Sequence, residues 1–272
     1  MKRMKTAVCQ MEIIWEDKAA NLEKASGFVR AAALHQADII LFPEMSLTGF
    51  SMNTEATAEE SFGESVCNMQ QLARKNRIAI GFGWVKKGLQ KAQNHYTVIG
   101  ADGEICSDYA KIHPFGFAGE DQYFEGGNEV VLFETAGQMC SNFICYDLRF
   151  PEIFQAVADK ADIIFVPANW PERRREHWNT LLKARAIENQ VYIVGINCYG
   201  YQEGQYYSGD SQVITPLGEV LERLSDKEGM FFCEIPDDAD KLRAGFPVRK
   251  DRKPGLYAKL LQGIERERDR EK

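Results

Sequence analysis

Ala37-Asp-Ile-Ile-Leu-Phe-Pro43 and Ala161-Asp-Ile-Ile-Phe-Val-Pro167 share one pattern, offset by 124 positions from Asp38 to Asp162. Each is a short apolar run closed by proline, the pattern of a buried strand. Before the first, Asn21 to Gln36 places Leu22, Ala25, Phe28, Val29, Ala32 and Ala33 on one helical face. Before the second, Phe154 to Lys160 occupies the corresponding helical place. A helix feeding a strand, twice, predicts two α/β halves packed against each other. Two copies are too few for a solenoid, whose stacking needs at least three.

The same alternation continues outward. Arg77 to Val85 reads as a strand, and Tyr96 to Ile105 as a hairpin turning at Asp102-Gly103, a pair suited to positive φ. Trp178, Leu181, Leu182 and Ala186 sit at helical spacing within Trp178 to Gln190, and Val191 to Asn197 follows as a strand. A second hairpin pairs Ser211–Thr215 with Glu219–Leu224 around Pro216-Leu-Gly218. The fold class is α/β. No low-complexity linker divides the chain, so residues 1–272 form one expected domain. The last stretch, about 258–272, is a charged tail that mixes both signs most densely from Ile264 onward.

Composition narrows the function classes. A chain of 272 residues, 44% apolar, can bury about three quarters of its unfolded surface. Its net charge of −7 argues against a broad basic face for nucleic acid, although a local cationic pocket is compatible with it. No apolar run approaches the roughly 20 residues that span a bilayer, and Thr6 to Met11 is too short and polar for a secretion signal. The seven cysteines are odd in number and form no Cys-x-x-Cys pair, which fits the reducing cytoplasm and neither a disulfide framework nor a zinc knuckle. His35, His95, His113 and His177 form no metal-ligand spacing, and Gly81-Phe-Gly83 lacks the remainder of a nucleotide-binding motif. No metal and no cofactor is expected.

Chemistry points to Asn142-Phe-Ile-Cys-Tyr-Asp-Leu-Arg-Phe-Pro-Glu152, where an apolar run stops at Cys145 and a helix-like stretch follows. A thiol on a strand-to-helix elbow projects from the end of a sheet, beside backbone N–H groups able to face an oxyanion. Glu44 ends the run from Ile39, and Lys111 ends the run from Ile105. Taken singly, each has an ordinary reading: a buried thiol, a loop carboxylate, a solvated lysine. The order Glu44, Lys111, Cys145 gives a base, a cation and a nucleophile.

With Phe42-Pro-Glu-Met45, Tyr109-Ala-Lys-Ile-His-Pro-Phe115 and Cys145-Tyr-Asp-Leu-Arg-Phe-Pro-Glu152, the chain resembles the nitrilase superfamily of carbon–nitrogen hydrolases from about Thr6 to about Tyr257. Pro167-Ala-Asn-Trp-Pro171, His177-Trp and Lys183-Ala-Arg-Ala-Ile-Glu-Asn-Gln-Val-Tyr192 resemble its bacterial ω-amidase branch. The resemblance implies a four-layer α-β-β-α sandwich, a homodimer or larger homo-oligomer, and a Glu44–Lys111–Cys145 triad. It matches Glu120 to a second glutamate that orients Lys111, and Arg149 to an arginine that grips the substrate's acid group. The backbone N–H of Tyr146 would join Lys111 in holding the oxyanion, and the lysine charge would favour the Cys145 thiolate.

The expected substrate is a short dicarboxylic monoamide, 2-oxoglutaramate or 2-oxosuccinamate. Its neighbours carry open alternatives. Arg149 either enters the pocket or caps structure through Asp147 or Glu152, Trp170 is a pocket wall or core, and Arg174 reaches the site or lies on a solvated charged face. Asn169 is expected on the wall opposite the thiol, and Cys198-Tyr199 leaves the far rim undefined. Other readings are an N-carbamoyl amidase or a nitrilase, or a non-catalytic binding module on the same fold.

Overall fold

The computed structural model describes residues 3–270. In chain order it contains β1 (Arg3–Gln10), α1 (Lys18–Leu34), β2 (Ile39–Leu41), α2 (Thr54–Thr57), α3 (Glu64–Asn76), β3 (Ala79–Lys87), β4 (Ala92–Ile99), β5 (Ile105–Ala110) and α4 (Glu120–Tyr123). There follow β6 (Phe133–Thr135), β7 (Gln138–Asn142), α5 (Pro151–Val157), β8 (Ile163–Ala168), α6 (Arg175–Asn189) and β9 (Tyr192–Asn197). The last elements are β10 (Tyr199–Gln202), β11 (Gln205–Ile214), β12 (Val220–Ser225), β13 (Gly229–Pro236), α7 (Ala239–Gly245) and α8 (Pro254–Arg270).

Two sheets form, in the orders β13-β1-β2-β3-β4-β5 and β10-β11-β9-β8-β7-β6, with β12 added to β11. Their parallel cores, β1-β2-β3 and β7-β8-β9, are the two copies read from the sequence. The hydrogen bonds repeat as well. Asp38 donates its N–H to Lys5 and its carbonyl accepts from Ala79, while Asp162 donates to Met139 and accepts from Tyr192.

Alternation along β2 explains the layers. Ile39 and Leu41 join the apolar cluster that continues into the second sheet through Phe143 and Phe165, and on to Trp178 and Leu182 of α6. Ile40 and Phe42 face the opposite way, onto Val29 and Ala32 of α1 and Met69 and Ala73 of α3. Both faces of a parallel strand are thus covered, which is why these strands carry no polar alternation. The outcome is the four-layer α-β-β-α sandwich.

Element boundaries move by a few residues. The first helix begins at Lys18, capped by the Asp17 carboxylate accepting from Ala20 N–H, and the helix of the second copy is Pro151–Val157. The hairpin at Asp102-Gly103 joins β4 to β5, with Gly103 at φ +82°, so Ile105 opens the second strand. The stretch read as a charged tail is helical as far as Arg270.

Candidate active site

The first three anchors stand just past the ends of strands: Glu44 three residues beyond β2, Lys111 directly after β5, and Cys145 three residues beyond β7. Asn169 directly follows β8. In open α/β sheets the crevice at the carboxyl ends of strands is where ligands collect. Here two sheets contribute to one crevice, so residues remote in sequence meet.

Glu44 is fully buried and held from several sides. Its Oε1 accepts from Lys111 Nζ at 2.9 Å and from Asn94 Nδ2 at 2.8 Å, and its Oε2 accepts from the Asn169 N–H at 2.8 Å. The Asn169 carboxamide donates to the Glu44 carbonyl at 2.7 Å. The loop lies so close to β3 that Gly83 is the residue it crosses. A Cβ there would stand 2.7 Å from the Glu44 carbonyl carbon and overlap Met45 N.

Lys111 is sandwiched between carboxylates, donating also to Glu120 Oε1 at 3.0 Å and Oε2 at 2.8 Å. Burial opposes its charge, but Glu120 and then Glu44 outweigh burial and hold the ammonium above the ordinary lysine range. Glu120 is shifted upward, by burial first and by Glu44 in addition, with Lys111 opposing. The expected Glu120–Lys111 contact is present. Asn94, which nothing in the sequence marked, donates to Glu120 Oε1 at 3.1 Å as well. Its own Oδ1 is buried without a partner among the described residues, an arrangement that costs about 1–3 kcal/mol.

Cys145 opens a 3₁₀ turn, Cys145–Arg149, after Phe143 and an extended Ile144. Its φ of +48° is unusual for a residue with a Cβ and costs on the order of 1 kcal/mol or more. Asp147 holds the turn. Its Oδ2 accepts from Ile144 N–H at 3.0 Å and Tyr109 hydroxyl at 2.8 Å, and its Oδ1 accepts from His113 N–H at 3.0 Å. Asp147 thereby ties the elbow to the segment that carries Lys111. The Cys145 thiol is raised well above the ordinary range, by burial and then by Glu44, with Lys111 pulling the other way. Lys111 favours the thiolate, as expected, but burial and the carboxylates outweigh it.

A cavity of about 390 Å³ opens over Cys145 and Lys111, lined also by Arg149, Asn169, Trp170 and Arg174. Arg149 does not cap Asp147, whose oxygens are occupied. Its guanidinium lies 4.7 Å over the Trp170 ring and 3.2 Å from His177 Nδ1. Arg174 lies 5.2 Å from the Phe115 ring centre, and burial followed by Arg173 and Arg149 lowers its basicity. Among the described residues neither Arg149 nor Arg174 has a carboxylate within ion-pair distance. Trp170 serves as both wall and core, 3% exposed and donating its indole N–H to the Arg174 carbonyl at 2.8 Å.

Asn169 lines the cavity, but its amide is committed to Glu44, and its Oδ1 accepts from Gln202 at 3.4 Å. It supports Glu44 while lining the cavity. Tyr146 also lines the cavity, its ring 4.7 Å from Phe115. Cys198 is buried, within 3.4 Å of Gln202 Nε2, so the rim is made by Gln202, Glu203 and Tyr207 instead. Tyr207 is 5% exposed, and burial, then Cys198 and Cys145, hold its hydroxyl in the protonated form. The histidines are dispersed: His35 stacks on Phe232, His95 on β4 contacts Asp108 at 2.8 Å, and His113 contacts Asp147 at 2.8 Å.

Comparison with known proteins agrees with this arrangement. The carbon-nitrogen hydrolase family model matches residues 5–244. The chain is 33% identical to the 2-oxoglutaramate amidase of Bacillus subtilis, over 91% of this chain and 97% of that one. It is 33% identical to omega-amidase YafV of Escherichia coli K12, over 81% and 85% of the two chains. Among solved structures, XC1258 of Xanthomonas campestris, a CN-hydrolase superfamily protein carrying an arsenic adduct in its active site, superposes with a TM-score of 0.88 at 28% identity, covering 93% and 98% of the respective chains. A strand-end crevice holding carboxylate, ammonium and thiol, on a sandwich shared along nearly the whole length, has one reading: the chain belongs to the carbon–nitrogen hydrolase family and is an enzyme that hydrolyses C–N bonds.

Proposed function

We propose that this enzyme hydrolyses the terminal amide of a short dicarboxylic monoamide, 2-oxoglutaramate or 2-oxosuccinamate, to the 2-oxo acid and ammonia. The observation that carries the reading is the placing, in one cavity, of Cys145 with the guanidiniums of Arg149 and Arg174, each without a carboxylate partner among the described residues. Such a pair suits a carboxylate gripped bidentately. The relatives named for 2-oxoglutaramate and omega-amidase activity support the same substrate class.

Because burial keeps Cys145 protonated, the reaction needs a base, and Glu44 is the carboxylate that bears on the thiol most strongly. Glu44 takes the thiol proton as sulfur attacks the amide carbon. The oxyanion receives hydrogen bonds from Lys111 and the Tyr146 N–H. Protonated Glu44 then gives its proton to the amide nitrogen, the C–N bond breaks, ammonia leaves and a thioester remains. Water attacks next, losing a proton to Glu44. The C–S bond breaks, the thiolate recovers that proton, and the acid departs. Loss of one oxyanion donor typically costs about 10²–10³ in turnover.

The test is ammonia release from 2-oxoglutaramate by wild type and by Cys145→Ala, with carbon dioxide followed in parallel on N-carbamoyl substrates. Activity confined to wild type, without carbon dioxide, is expected. Equal activity in the variant removes the nucleophile, and carbon dioxide from N-carbamoyl substrates alone moves the enzyme to that class. Unpaired cysteines and an α8 that exposes Leu256, Leu260 and Leu261 support a cytoplasmic homo-oligomer, checked by light scattering of the purified chain.

A further inference from the structure

Asn94 takes no part in the steps above, yet its side chain lies at their centre. It sits on β4, 2% exposed and 50 positions from Glu44. Its Nδ2 donates to Glu44 Oε1 and Glu120 Oε1, at 2.8 and 3.1 Å. Lys111 Nζ donates to the same two oxygens, at 2.9 and 3.0 Å. Two carboxylate oxygens therefore alternate with two nitrogen donors in a closed ring of hydrogen bonds. The backbone locks the ring's geometry, since Lys111 N–H donates to the Asn94 carbonyl at 2.8 Å.

The orientation of the amide is informative. Its Oδ1 points to a buried place with no partner among the described residues. Turning the amide over would set that oxygen against two carboxylate oxygens, so the carboxylates enforce the orientation. A side chain serving only to fill space would be apolar here. An asparagine with an orphaned acceptor is instead held for its two N–H groups.

We propose that Asn94 is a positioning residue whose two N–H groups keep Glu44 and Glu120 as separate carboxylates on either side of Lys111, so that Glu44 remains a base directed at Cys145. The proposal rests on the reading of Glu44 as that base. The charged and titratable groups around Glu44 are Lys111 after β5, Glu120 on α4, Cys145 after β7, and Cys198 and Tyr207 from the second sheet. Burial keeps the two thiols and the phenol neutral, leaving one cation between two carboxylates. Without the amide donors the pair relieves its repulsion by taking up a proton, and the base is lost at a higher pH.

The experiment uses the full-length enzyme, Asn94→Leu, which keeps volume without donors, and Asn94→Asp, which adds a third carboxylate. Should the leucine variant not fold, Asn94→Ala carries the same expectation. Measured are kcat and KM across about pH 5 to 9, iodoacetamide alkylation of Cys145 across the same range, and the melting temperature. In Asn94→Leu we expect kcat to fall at least about 30-fold with KM within about threefold, as for a loss felt in the transition state. Its acidic limb should move up by about one pH unit, with the melting temperature unchanged or higher. Asn94→Asp should move the limb further the same way. Limbs unmoved in both variants, or losses that only follow a lowered melting temperature, overturn the proposal. Wild type and Cys145→Ala run alongside, and alkylation needs no substrate, so a failed substrate or nucleophile assignment is separable from a failed role for Asn94.

Discussion

Gly83→Ala tests how closely the position of Glu44 is set by the strand beneath it. The added Cβ would lie 2.7 Å from the Glu44 carbonyl carbon and 2.8 Å from its Cα, where ordinary contact begins near 3.4 Å. Both neighbours are backbone, so neither can swing aside as a flexible side chain would. Met45 N, which the Cβ would overlap, is closer still, so the Glu44–Met45 loop must retreat by roughly 1 Å, and a displacement of that size in a reacting group costs on the order of 10²-fold in rate. We expect kcat to fall about 30- to 100-fold and stability by about 1–3 kcal/mol, the usual cost of overpacking.

Gly81→Ala is the control. Two residues earlier on the same strand, its Cβ would meet the ends of side chains, Leu41 Cδ2 and the Tyr96 hydroxyl, each at 2.8 Å. Similar destabilisation with a much smaller loss of kcat is expected. Steady-state ammonia release and thermal unfolding of both variants decide the matter. A Gly83→Ala enzyme turning over within threefold of wild type would refute the claim that β3 fixes Glu44.

Two further outcomes follow from charge. Replacing Arg149 or Arg174 by Met should lower kcat/KM for the acidic amide by about 10- to 150-fold, the value of about 1.5–3 kcal/mol for a hydrogen bond to a charged group. A neutral amide of the same length should be affected far less, and equal losses on both substrates would deny these guanidiniums a carboxylate-binding role. Asp108 titrates at about 2: burial raises it, but hydrogen bonds from His95 and Thr97 and the charges of His95 and Lys86 pull it below its ordinary 3.8. A depressed carboxylate stabilises the fold above its ordinary range and loses that contribution as pH falls from about 4 to about 2. After a discount for partial exposure this amounts to about 1–2 kcal/mol, so Asp108→Asn should flatten the acid unfolding curve in that window. A slope equal to wild type would contradict it.

The layers were legible because their signals are local. A helical face, an apolar run and a closing proline lie within about twenty residues, twice over. Glu44, Lys111 and Cys145 were legible for the same reason, each ending a short run with a distinctive flank. Strand β13 was not: Gly229–Pro236 earns its place by pairing with β1, Arg3 opposite Pro236, across most of the chain. Asn94 and Gly83 likewise act through contacts with Glu44 some 40–50 positions away, and a one-dimensional pattern holds no trace of them. Arg149 was ambiguous between the pocket and a cap on Asp147 or Glu152, because only the fold shows that Tyr109 and His113 occupy Asp147 and that the guanidinium lies against Trp170 and His177. The pull of Lys111 toward the Cys145 thiolate was legible, whereas the burial that outweighs it depends on the depth of the crevice, which was not.

The matched strands β2 and β8 carry a consequence for how the site is divided between the two sheets. Glu44 follows the proline of one repeat and Asn169 stands two places beyond the proline of the other, and the two residues bond to each other by backbone and side chain. Neither repeat owns a complete reaction centre. The reaction centre is therefore a single seam between the two halves, with Glu44 and Lys111 supplied from one sheet and Cys145 and Asn169 from the other.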